Sequence, residues 1–137
     1  MTGASEQPTL WGLQLPTNAR PSRRRPNLAL RDLAIWAEGK VHAISAKSGI
    51  ARTSDMFVLT QAAKLTEELG ELHSEILGRL QLQRSSKGVV YDEHSLGSEL
   101  ADVVLCTAVL SRALGVDLAS AVAEKMEVVD SRLRPPE

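Results

Sequence analysis

The chain has 137 residues, 43% of them apolar, enough for one domain with a buried core. Its 16 basic and 17 acidic residues leave a formal charge of -1, so the whole molecule exerts no strong pull on nucleic acid or anionic membrane, and any charge-driven function is local. The single cysteine, Cys106, excludes an internal disulfide framework and a cysteine-rich zinc site, and the longest apolar run, 100–110, contains Asp102 and falls short of the ~20 residues of a membrane helix. With no basic start and apolar core at the N-terminus, a cytoplasmic protein with no membrane and no stable nucleic-acid partner is expected.

Residues 1–26 carry Pro8, Pro16, Pro21 and Pro26 with the cluster Arg20, Arg23, Arg24 and Arg25, a composition that suits neither helix nor strand. A flexible Pro/Arg-rich arm is expected there, its arginines either solvated or touching phosphate, and a helical domain over 27–134. From Asn27, a candidate N-cap, Leu28, Leu30, Leu33, Ala34, Ala37 and Val41 recur at helical spacing and predict a first helix. Gly49 and small polar residues interrupt the pattern over 45–53, and Thr53 or Ser54 then caps a long second helix running to about Gln83. Ser85, Ser86 and Gly88 mark a loop over 84–92. A third helix starts between Glu93 and Ser95 and continues to Leu114, where Gly115 is placed as a C-terminal cap. Asp117 caps a fourth helix, whose apolar side is Leu118, Val122, Met126 and Val129 and which stops before Pro135 and Pro136. The expected fold is all-α, an antiparallel four-helix bundle assembled as a homodimer or homotetramer, since amphipathic helices of this length need partners.

The chemistry lies in the spacing of the acids. On the second helix Glu68, Glu71 and Glu75 fall within one narrow stripe, beside Glu67, and each like-charged pair three or four residues apart costs an isolated helix ~0.2–0.5 kcal/mol. Only Lys64 and Arg79 lie within a turn to offset that repulsion. Taken alone, such a row is commonly a solvated face. The third helix adds Glu99 and Asp102, three residues apart on the side that continues through Val103, Cys106, Leu110 and Ala113 and should face the core. A partly buried Asp102 needs a positive partner, either a basic residue from another helix or a bound cation. Two facing helices with acids at i and i+3 bring carboxylates toward one point, a hard oxygen-ligand set suited to Mg2+ or Mn2+. Zinc would call for histidine or thiolate, and His42, His73 and His94 form no spaced motif. A di-iron carboxylate bundle needs Glu-x-x-His, which does not follow any of these glutamates.

The run Glu67-Glu68-Leu69-Gly70-Glu71 followed by Glu99-Leu100-Ala101-Asp102 resembles the signature of the MazG-like all-α nucleotide pyrophosphohydrolases, relatives of dCTP pyrophosphatases and dimeric dUTPases. The resemblance extends over roughly Leu28 to Arg132, including Gly115-Val116-Asp117-Leu118. It implies hydrolysis of a nucleoside triphosphate to the monophosphate and pyrophosphate, in nucleotide-pool housecleaning, with Glu68, Glu71, Glu99 and Asp102 as ligands to Mg2+ or Mn2+. Glu67 or Glu75 would orient or deprotonate the attacking water, although the side chain of Glu67 points about 100° away from that of Glu68 and can equally be solvated. Lys125 and Arg132 match two phosphate-holding positions of the last helix. The position between them, asparagine in relatives, is Val129 here, a departure that weakens the match. For the nucleobase the aromatic candidates are Trp36, Phe57, Tyr91 and Trp11, of which Trp36 on the first helix is preferred. The competing reading is a noncatalytic helical module in which the same acids bind metal or nucleotide only as a sensor or scaffold.

Overall fold

In the computed structural model the described residues are 28–80, 82 and 93–133, and they form four helices. These are α1 (Leu30–Ser48), α2 (Asp55–Arg79), α3 (Glu93–Ala113) and α4 (Leu118–Leu133). No strand occurs among the described residues, and the all-α bundle expected from the sequence is the architecture observed. The arm over 1–26, the loop over 84–92, and Trp11, Asn27 and Tyr91 lie outside the described residues.

The helix ends follow from local chemistry. α1 begins at Leu30, with Ala29 as the N-cap; the Asp32 carboxylate accepts the Ala29 N–H at 3.0 Å, a partner that substitutes for a side-chain cap. α2 opens as expected on Ser54, whose hydroxyl accepts the Phe57 N–H at 3.2 Å. It ends at Arg79 rather than near Gln83, and the N–H groups of Leu80 and Leu82 close its last turn on Ile76 and Leu77 carbonyls. Side-chain periodicity continues past that point, but it does not register where the backbone bonds stop. Gly49 and Gly115 end α1 and α3 in the left-handed region, each at φ 71°, which a side chain would strain. Asp117 caps α4, accepting the Ala119 and Ser120 N–H groups at 3.1 and 3.2 Å.

Packing is uneven. α2 and α3 share the longest seam, α1 lies along α3, and α4 leans on α1. The core joins Leu33, Ala37 and Val41 of α1 to Phe57 of α2 and Ala108 and Val109 of α3, with Phe57 fully enclosed. On α3 the deepest side chains are thus Ala108, Val109 and Ser111, while the stripe expected to face inward, Val103, Cys106, Leu110 and Ala113, is half-buried. α4 turns away from α3 by 114° and buries none of its residues within the chain. The expected apolar side of α4 is accordingly covered only at its start: Leu118 packs against the core and Val122 is half-buried, while Met126 is 60% exposed and Val129 42%. No single helix among the described residues is long and apolar enough to cross a membrane.

Candidate metal centre

The seam between α2 and α3 gathers the acids. Spacing of three and four residues on α2 keeps Glu68, Glu71 and Glu75 on one stripe, and α3 turns Glu99 toward it. One carboxylate oxygen each from Glu68, Glu71 and Glu99 lies within 4.8 Å of the others. Glu68 is buried, Glu99 half-buried and Glu71 exposed, so the cluster is floored by protein and open to solvent on one side.

Glu99 carries the sharpest signal. Its Oε2 is buried with no hydrogen-bond partner among the described residues, a costly arrangement for a group that accepts bonds readily. Burial holds its carboxyl above the ordinary glutamate range, and the charges of Glu71, Asp102, Glu68 and Glu75 push it further in the same direction. Those contributions locate Asp102 and Glu75 in the electrostatic field of the cluster, although neither supplies an oxygen to the group within 4.8 Å. Asp102 itself is half-buried, and the alternative of a lysine or arginine from another helix finds no such residue within ion-pair distance of it among the described residues.

Among the described residues, the one ammonium paired with an acid of the seam belongs to Lys64, a turn before Glu68. Its Nζ lies 2.5 Å from Glu68 Oε1 and 3.3 Å from Glu67 Oε2, and these bonds, Glu68's first, hold the lysine well above its ordinary pKa. Glu67, more than half exposed, leans on Lys64 and takes no part in the three-oxygen group. Glu75 is instead held across the seam, where the Ser95 hydroxyl at the start of α3 donates to its Oε1. Cys106 is half-buried nearby; burial pushes its thiol up, the charge of Glu68 adds to the effect, and the neutral thiol is therefore a poor nucleophile.

The remaining sequence candidates lie on α1, α2 and α4. Trp36 is 39% exposed on α1 with the Lys40 ammonium 5.4 Å from its ring centroid, and Phe57 is sealed in the core. Lys125 and Arg132 are exposed on α4 and form no ion pair among the described residues. Sequence reading gave Ser95 no role, since nothing local marks a serine that reaches a glutamate on another helix. Lys64 was legible as an i, i+4 neighbour of Glu68.

The donor set fits a divalent cation. The oxygens are hard carboxylates converging from two helices, no histidine or thiolate joins the group of three, and the orphaned Glu99 oxygen lacks the positive or hydrogen-bonding partner a cation would provide. No curated protein and no solved structure matches the chain. A family model described as the MazG nucleotide pyrophosphohydrolase domain matches residues 58–133, a span that holds both acid pairs and α4 and begins inside α2, leaving α1 outside it. The helical architecture, the acids at the α2/α3 seam and this match agree: the chain belongs to the MazG nucleotide pyrophosphohydrolase family.

Proposed function

We propose that the chain is a magnesium-dependent nucleoside triphosphate pyrophosphohydrolase that releases the monophosphate and pyrophosphate, with manganese able to replace magnesium. The observation that carries this reading is the convergence of Glu68, Glu71 and Glu99 around an unpartnered buried Glu99 oxygen. Glu68, Glu71 and Glu99 would hold the ion, and Asp102, three residues beyond Glu99 and within its field, would complete the set. A bound divalent ion supplies charge neutralisation for the triphosphate and lowers the pKa of a water poised for in-line attack.

The chain's own residues supply the rest. Glu75, fixed by Ser95 beside the cluster, is better placed than the solvent-facing Glu67 to accept the proton of the attacking water. Lys125 and Arg132 contribute positive charge for phosphate, and Trp36 an exposed flat face for the base. These groups lie on α4 and α1, not on the two helices that carry the acids. That separation, with the exposed apolar side chains Leu69, Leu100 and Val104 on the acid helices and Met126 and Leu133 on α4, supports a homodimer or homotetramer. The substrate is a nucleoside triphosphate, and the setting is the cytoplasmic nucleotide pool.

The test is Asp102→Asn. The variant should keep the helical circular-dichroism spectrum and lose magnesium-dependent pyrophosphate release from a panel of nucleoside triphosphates by about a hundredfold or more, the scale expected when a metal site is disabled. Full turnover in the folded variant would refute the assignment. Metal and nucleotide binding by the wild type without turnover would favour the noncatalytic module.

A further inference from the structure

Lys64 is the only cation within ion-pair distance of any of Glu68, Glu71, Glu99 and Asp102 among the described residues. It takes the most buried of these acids: the Glu68 side chain is 7% exposed, while that of Lys64 is 48% exposed. A carboxylate so enclosed needs a positive partner, and the ammonium one helical turn earlier provides it. That ammonium makes no ion pair with Glu71 or Glu99, so the group within 4.8 Å remains short of positive charge at the oxygen that has no bond.

A divalent ion drawn to the three oxygens meets the ammonium at Glu68. Two cations against one carboxylate repel strongly at such distances. The lysine has a way out, because Glu67 stands beside it at 3.3 Å with a side chain 58% exposed, and the flexible stem can follow it into solvent. We propose that Lys64 is a resident counter-ion of the acid seam, seated on Glu68 until a divalent metal displaces its ammonium toward Glu67 and solvent. The proposal rests on the reading of the seam as a metal centre. Lys64 then raises the metal concentration needed to fill the site and keeps the buried acid neutralised when metal is scarce.

The experiment pairs Mg2+ calorimetry on wild type and Lys64→Met with pulsed acetylation of the wild-type lysines, read by peptide mass spectrometry with and without Mg2+. Lys64 acetylation is expected to rise severalfold on Mg2+ addition, while Lys40, Lys47 and Lys125 label as before. Lys64→Met should bind Mg2+ about tenfold more tightly, because no ammonium competes, and Lys64→Arg should stay near wild type. Mg2+ binding to the wild type with unchanged Lys64 labelling, and an affinity for Lys64→Met within about twofold of wild type, would overturn the Lys64 role and leave the metal centre standing. Absence of Mg2+ binding by the wild type would remove the metal centre itself, whatever the variants do.

Discussion

Two glutamates at the seams of α3 meet opposite fates. Glu38 of α1 is well partnered: Arg112 of α3 donates to it through Nε at 2.7 Å and through its terminal nitrogen, the Arg52 guanidinium stands at 4.0 Å, and the His42 ring nitrogen lies within hydrogen-bond distance at 3.1 Å. Glu99, on α3 itself, looks across the other seam at Glu71, Glu68 and Glu75 and has no cation within ion-pair distance among the described residues. The bond from Arg112 pulls the Glu38 carboxyl below its ordinary range, whereas burial and like charges push that of Glu99 above it. The α1/α3 seam is thus complete in itself. The α2/α3 seam stores repulsion that a cation from outside would relieve, the arrangement expected of a site rather than of a scaffold contact.

Breaking the common floor of both seams should have the largest effect on stability. Phe57 is fully enclosed among α1 and α3 residues, and Phe57→Ala should cost about 3–5 kcal/mol, read by urea unfolding, with both seams failing together. A next, smaller effect separates them. Mg2+ at a hundred times its dissociation constant should stabilise the folded chain by about 2.7 kcal/mol, reversed by chelator, and Glu99→Gln should weaken that response while Glu38→Gln leaves it intact. Equal responses in the two variants would mean that the ion binds elsewhere.

The smallest effect tests the electrostatics themselves, in metal-free protein. The raised pKa of Glu99 means that its folded form holds a proton more readily than its unfolded form, so its contribution is favourable at acid pH and is lost as pH rises from the ordinary glutamate range through the raised value. Glu38 has the opposite sign: its contribution is present above the ordinary range and is lost as pH falls through the lowered value. At neutral pH Glu99→Gln should therefore raise Tm and Glu38→Gln lower it, and both differences should shrink below the ordinary glutamate range. Shifts of the same sign would dissolve the contrast between the seams.

Much of this was written in local spacing. The four helices, the Ser54 and Asp117 caps, the glycine ends at Gly49 and Gly115, and the placement of Glu68 and Glu71 on one stripe each depend on residues within about a turn of one another, where helix geometry leaves little freedom. Where local rules ran out, at the Ala29 cap and the Arg79 end of α2, the expected boundaries moved by a few residues.

The amino-acid sequence by itself determined which residues are helical and that acids recur at i and i+3 on two of the helices, because both are properties of a single helix. Only the tertiary structure decided which carboxylate would be neutralised. Glu38 and Arg112 are 74 residues apart in the chain and meet through the packing of α1 on α3, and Ser95 finds Glu75 by the same kind of long-range register. The same packing leaves the far end of the α4 apolar side exposed and gives Glu99 three acids of α2 for neighbours. The physical reason is that charge and burial are properties of the space between helices, and no one helix contains that space.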